Sequence, residues 1–496
     1  MSDKPETFSE FYKLDKQQAE LDFVDVPVDG SDIQLFIDPY AMTKRQDEWY
    51  VECAHAVYNY FDHLLELIRA DKKSAAIQLL SGLHESNETK LGYSPKNHGS
   101  AIGREQSLKL YESLRQSRAV ETGILKDIEE CNLMIPGIDR DKISDITTNV
   151  IKRYLIEYTQ AQCKLHGVPL ISRPVKHVFD TRTYEWSSEY HELPIDSAGN
   201  PIILVPKVLV RIIPVLHAQE FYQHYVLNYL QQELHSAGSS LCRVLKNGNL
   251  KKPAKKTLTQ EYTRVGDPTA DGTRKSLKEY LYGFTLQNPH ILQEYEDTKK
   301  NSDEPLSNDL IEKNNKKRPQ NYDKMVERLK QIPEGKTHAY EYHSHIIGVL
   351  TAIFSPLLTS PSKETPINEE TKRIDITFVN SARHGFFSSL RPLKGIAAAY
   401  IFTECKNYTK DAKNPEVDQL GMRFSKRRGQ FGFLVVRNLK DRKKLIQRCR
   451  AVAKDGHGWV VVLTDADIIR LLELKSNNRN REINDFMEQR LQEVID

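Results

Sequence analysis

Residues 397–408 read AAAYIFTECKNY. A short apolar run with aromatic and β-branched members, bounded by polar residues, predicts a buried strand. Side chains alternate along a strand, so Glu404 and Lys406 share one face while Cys405 packs on the other. A carboxylate and an ammonium at the end of a buried strand are costly unless they are paired or used.

Outward from this strand the pattern is regular. Residues 338–354, HAYEYHSHIIGVLTAIF, predict a helix that Ser355-Pro356 stops. RIDITFVN, 373–380, predicts the preceding strand, and a short extra strand is expected around 384–390. Asn414-Pro415 and Glu416 open a helix that runs to about Phe424. FGFLVVRN (431–438) and GWVVVLTD (458–465) predict two more strands, 440–453 a basic helix, and 466–475 a closing helix. The expected C-terminal domain, 331–496, is α/β with a central mixed sheet.

Asp375 sits in the first of these strands between Ile374 and Ile376. In adjacent strands Asp375 and Glu404 could approach within a few ångströms. Two such carboxylates make a hard-oxygen site suited to Mg²⁺, completed by water and a substrate phosphate. Lys406 beside them would orient the attacking water and stabilise charge on the phosphorane.

Asp375, then Glu404-x-Lys406, on consecutive strands after a helix, resembles the PD-(D/E)XK nuclease superfamily. Ile374 stands where the superfamily name has Pro. The resemblance implies a restriction endonuclease-like αβββαβ core and a Mg²⁺-dependent endodeoxyribonuclease, with Mn²⁺ as a substitute ion. It implies metal ligation by Asp375 and Glu404, with Glu341 of the preceding helix as an extra metal-binding acid. It places Gln419, on the helix after the Glu404 strand, among the catalytic residues with Asp375, Glu404 and Lys406. The stretch 338–475 is similar to uncharacterised nuclease-like proteins found with bacterial phage-defence genes. A role in defence against phage or plasmid DNA is therefore expected, with a second copy or a companion defence protein as partner. The rival expectation is a catalytically silent nucleic-acid-binding or scaffolding subunit that keeps the fold.

Arg423, Lys426, Arg427 and Arg428, followed by Arg437 and Lys440–Lys444, are expected to track a DNA backbone near the scissile phosphate. Residues 331–496 carry 27 Lys and Arg against 20 Asp and Glu, whereas the first 330 carry 44 against 48. His343 and His345 are two apart on a helix and point in different directions, so they and His384 are expected to be packed or surface histidines. Asp465 and Asp467 follow a strand and read as helix caps.

The N-terminal region, 1–293, is expected to be mainly helical (49–70, 105–132, 141–164, 217–236), with strands at Ile33–Ile37 and within 202–215. Residues 80–103 form a polar loop without a Walker lysine, so nothing points to a nucleotide. The stretch 135–151, IPGIDRDKISDITTNVI, resembles an element of the same defence-associated proteins. Its Asp139, Asp141 and Asp145 lack the Gly and terminal Glu of a calcium loop. Lys246–Thr257, KNGNLKKPAKKT, reads as a basic surface loop, with a nucleic-acid contact as its alternative. Residues 294–330 read as a polar linker. The N-terminal region is expected to serve recognition, assembly or autoinhibition.

Across all 496 residues the net charge is +3 and hydrophobic residues are 39%. No apolar run approaches the ~18 residues of a membrane span, and the first residues lack a secretory apolar core. Six scattered cysteines without a CxxC point away from a disulfide framework. A cytoplasmic protein without a membrane partner is expected.

Overall fold

A computed structural model describes residues 6–43, 45, 47–92, 104–122, 125, 127–268, 274–302, 304–317, 319–363, 376–412 and 414–495. Its C-terminal region is built on one five-stranded mixed sheet. Helix α1 (Ala339–Phe354) leads into β1 (Leu358–Lys363), β2 (Ile376–Asn380), α2 (Gly385–Lys394) and β3 (Tyr400–Lys406). Then come α3 (Asn414–Gly421), β4 (Phe431–Val436), α4 (Arg442–Lys454), β5 (Trp459–Thr464), α5 (Asp465–Ser476) and α6 (Asn480–Ile495).

The spatial order is β5-β4-β3-β2-β1. Strands β3, β4 and β5 run parallel, and β2 and β1 continue the sheet antiparallel. The register places Leu434 beside Glu404, Val436 beside Lys406, and Ile376 beside Thr403. All six residues of β4 are buried, as expected of a parallel strand covered on both faces. On one face Ile401 and Cys405 pack with Ile346, Ile347 and Leu350 of α1, Phe387 of α2 and Leu471 of α5. On the other, Phe402 packs with Val417 and Leu420 of α3 and Leu445 and Cys449 of α4. The alternation therefore sends Glu404 and Lys406, which share the Phe402 face, toward the α3–α4 layer.

Two expectations need correction. Residues 384–390 belong to helix α2: Gly385 takes φ +73°, and Phe386, Phe387 and Leu390 fall on one helical face against the core. The extra strand is instead β1, LTSPSK, an edge strand whose Pro361 is tolerated where no further ladder is made. The stretch 294–330, read as a polar linker, is largely helical where described. It contains the end of helix Pro289–Ser302 and the whole of helix Asn308–Asn314. Ile311 is fully buried, Asn315 Nδ2 donates to Asp25 O at 2.6 Å, and Ala19 N donates to Gln320 Oε1 at 2.8 Å.

The N-terminal region has its own apolar core, running from Phe8 to Ile311. Helices Glu48–Arg69, Arg140–Val150, Lys152–His166 and Leu227–Ser236 match the helical periodicity, but 105–132 is broken into short helices. The expected strand in 202–215 shrinks to Val210–Arg211, paired with Phe36–Ile37, because Pro206 and Pro214 interrupt it. A long hairpin, Ile171–Asp180 with Glu185–Leu193, was not expected. The first residues reach the C-terminal sheet: Lys16 Nζ donates to Ser344 O at 2.9 Å and Ser360 N to Asp22 Oδ2 at 3.1 Å. Among the described residues, no helix is long and apolar enough to cross a membrane.

Candidate functional site

The parallel strands β3, β4 and β5 end together, and their carboxyl ends carry Lys406, Arg437 and Asp465 in the chain positions at or just beyond the last ladder pairs. Loops at the carboxyl ends of parallel strands are where open α/β sheets bind ligands. Here the apolar run of β3 gives way to charge. Glu404 is 1% exposed and Lys406 2%. Lys406 Nζ pairs with Glu404 Oε1, and Arg423 Nη1 reaches Glu404 Oε2 at 3.2 Å. Both carboxylate oxygens thus meet a cation, which offsets much of the desolvation cost of burying them.

Arg423 is positioned by α3. Val417 and Leu420 anchor that helix to the sheet, and Arg423 N donates to Leu420 O at 3.2 Å just past its end. The arginine remains 23% exposed, so its guanidinium links the buried carboxylate to solvent.

The strand end is held from the opposite layer. His343 Nε2 donates to Cys405 O at 2.6 Å. Burial lowers the His343 pKa, so the ring is neutral at pH 7 and Nε2 carries the proton that a carbonyl acceptor requires. His345 Nε2 similarly donates to Met325 O at 2.9 Å. Asn407 Nδ2 donates to Pro333 O and Gly335 O, each at 2.9 Å, and Gly335 N donates to Asn407 O at 3.0 Å. These bonds clamp the end of β3 to the segment leading into α1.

A second polar group lies at the end of β5. Tyr342 Oη donates to Asp465 Oδ1 at 2.7 Å, Arg437 Nε stands 3.1 Å from Asp465 Oδ2, and the Arg437 guanidinium lies 4.9 Å from the Tyr342 ring centroid. Burial pushes the Asp465 pKa up to about 6, against the opposing pull of Tyr342 and Arg437. Asp465 is therefore more than a cap. Thr464 and Asp467 form the capping box of α5. Asn407, Tyr342, Arg437 and Asp465 escape a reading of local pattern because each finds its partner far away in the chain.

The expected site residues divide. Glu404, Lys406 and Arg423 are brought together. Asp375 lies outside the described residues; its chain neighbour Ile376 pairs with Thr403, the neighbour of Glu404. Glu341 is exposed in the first turn of α1, with Oε2 3.4 Å from His338 Nδ1. Gln419 is exposed on α3. Lys426 and Arg427 are exposed on the turn closed by the two-way bond between Ser425 and Gly429. A Cβ at Gly429 would meet the Tyr400 carbonyl, so glycine lets this turn pack against the start of β3. Arg428 O accepts from Tyr400 N at 2.9 Å, and its guanidinium lies 5.3 Å from the Phe402 ring centroid. Tyr400 is four residues before Glu404, about 13 Å along a strand. The basic turn thus sits at the far end of β3, and Arg423 alone of the four basic residues reaches the buried pair.

A hard-oxygen cation fits Glu404 by donor chemistry, since a buried carboxylate with a fixed backbone is the ligand type Mg²⁺ selects. Among the described residues no cluster of three His, Cys, Asp or Glu side chains is arranged around an ion. A complete donor set would need Asp375 or substrate oxygens.

In comparisons with known proteins, a family model described as a domain of unknown function (DUF8370) matches residues 13–217. No curated protein and no solved structure matches the chain. The matched stretch stops well short of β3, although Ala19 and Leu165 within it pack with the C-terminal core.

Proposed function

We propose that the chain is a metal-dependent DNA endonuclease of the restriction endonuclease-like class, with its centre at the carboxyl end of β3. The observation that carries this reading is the buried Glu404–Lys406 pair, two residues apart on one face of the central strand. The element order α1-β1-β2-β3-α3-β4, with α2 inserted, supports it as an αβββαβ arrangement. So does the mixed sheet, antiparallel on one side of β3 and parallel on the other.

In this reading Glu404 and Asp375 hold the divalent ion. A bound Mg²⁺ supplies Lewis acidity toward the phosphodiester and its attacking water. Lys406, held beside Glu404, donates to that water and opposes the charge that develops on the phosphoryl oxygens. Arg423 shares Glu404 with Lys406 and, being partly exposed, can turn toward a phosphate. The bacterial defence setting and a cytoplasmic location rest on the resemblance of residues 338–475 alone.

The test is plasmid cleavage in Mg²⁺ with wild type beside Lys406→Ala and Glu404→Ala. Each variant is expected to lose roughly a thousandfold or more in rate. Near wild-type cutting by either variant would remove the assignment. One observation favours the rival reading of a silent nucleic-acid-binding subunit: both Glu404 oxygens already have cationic partners. A wild type that binds DNA but never cuts it in Mg²⁺ or Mn²⁺ would decide for that reading.

A further inference from the structure

Far from β3 in sequence, residues 243–252 form an exposed β-ribbon. Arg243–Val244 pair antiparallel with Leu250–Lys251, and every residue from 243 to 252 is exposed. Leu245 N donates to Asn249 O at 2.8 Å and Gly248 N to Leu245 O at 2.9 Å, closing the tip. Gly248 has φ +81°, the left-handed conformation that this tight turn demands.

Its charge is one-sided. Residues 234–260 hold six cations, Arg243, Lys246, Lys251, Lys252, Lys255 and Lys256, and no Asp or Glu. Among the described residues none of the six is within ion-pair distance of a carboxylate, in contrast to Lys406. Arg243 and Lys251 stand directly opposite each other across the ribbon. Like charges in that position weaken a two-stranded ribbon, and a polyanion would remove the repulsion. Val244, 65% exposed, faces Leu250 in the next cross-strand pair.

The ribbon is rigidly rooted. His235 Nε2 donates to Leu250 O at 3.0 Å, Gln231 Nε2 to Pro253 O at 2.6 Å, and Lys252 Nζ to Gln232 Oε1 at 2.9 Å. All three bonds tie it to helix Leu227–Ser236.

We propose that this ribbon is a binding site for double-stranded DNA, set in the major groove with Arg243, Lys246 and Lys251 against phosphates. A two-stranded ribbon fits the ~12 Å major groove of B-form DNA. The deep, narrow major groove of A-form RNA does not admit it. The ribbon tip carries no Trp or Phe to enter a bilayer interface. The site lies outside the residues that the family model matches.

The experiment compares the full chain with the triple variant Arg243→Ser/Lys246→Ser/Lys251→Ser, by fluorescence anisotropy on a B-form duplex across a salt series. EDTA is present throughout, so cleavage plays no part and a failure here leaves the β3 reading standing. Each lost phosphate contact flattens the plot of log affinity against log salt by about 0.9, so the triple variant should lose about 3 in slope and at least about tenfold in affinity. Lys246→Arg, which keeps the charge, should bind as wild type. Unchanged affinity and slope in the triple variant would overturn the site, as would a wild type that binds no duplex DNA. Loss of binding to RNA duplex or to phosphatidylserine vesicles, with DNA binding untouched, would overturn the assignment to DNA.

Discussion

The end of β3 and the ribbon at 243–252 use the same kinds of side chain under opposite conditions. At β3 a lysine and an arginine meet one carboxylate within the core, and each charge has a named partner. On the ribbon, cations stand in water, without carboxylate partners among the described residues, and even face each other. Burial makes an unpaired charge expensive, so the β3 group must be assembled as a unit. Exposure makes the same charges nearly free to place, so the ribbon's charges can be arranged for a distant partner. The first region is held by fixed geometry, and the second carries a field that salt screens.

That contrast breaks first where one member of the buried group is removed alone. Lys406→Met should destabilise the fold by about 3 kcal/mol, at the lower end of the range for a broken buried pair because Arg423 remains. Glu404→Gln with Lys406→Met should recover most of that loss. Urea unfolding of wild type, both single variants and the double variant closes the cycle, and additive losses would show that Glu404 and Lys406 are not coupled.

Asp465 sharpens the comparison as an intermediate case, partly buried and partnered by Tyr342 and Arg437. Its carboxyl is raised to about 6, so the folded state holds a proton that the unfolded chain releases near pH 4. Stability from this group is full below about pH 4 and is lost as pH rises through about 6, by at most about 3 kcal/mol. Asp465→Asn should flatten unfolding free energy over pH 4–6 relative to wild type. A parallel pH profile in the two proteins would show that Asp465 is not the titrating group.

The smallest effect is expected on the ribbon. Its triple serine variant should change stability by less than about 0.5 kcal/mol, because these side chains are solvated in the folded and unfolded states alike. A melting temperature several degrees away from wild type would mean that the ribbon's charges have structural partners after all.

The sequence was most legible where burial is two-sided. Strands β3, β4 and β5 are continuous apolar runs, and such runs are visible without knowing their neighbours. Strand β1 offers one buried leucine and a proline, so its place at the sheet edge leaves no local signal. The hairpin 171–193 is wet along much of both strands, which erases the apolar alternation that marks a half-buried strand. The helix at 308–314 looked like linker because its support, Asp25 O accepting from Asn315, comes from the other end of the chain. At the site, Glu404 and Lys406 were readable because charge interrupts an apolar run. Glu341 has a weaker local signal, because an acid in a first helical turn is favoured there by the helix dipole, whatever it faces.

The reach of the first residues into the C-terminal sheet also sets a schedule. Lys16 finds its acceptor, Ser344 O, 328 residues later. At ribosomal rates of ~5–20 residues per second, the arm waits roughly 15–65 s for that partner to be made. During that interval Lys16, Asp22 and Ala19 have no C-terminal surface to dock on. The C-terminal sheet therefore emerges onto an already waiting strap, and a nascent chain cut short before β1 would be left with that strap open to whatever binds exposed chain first.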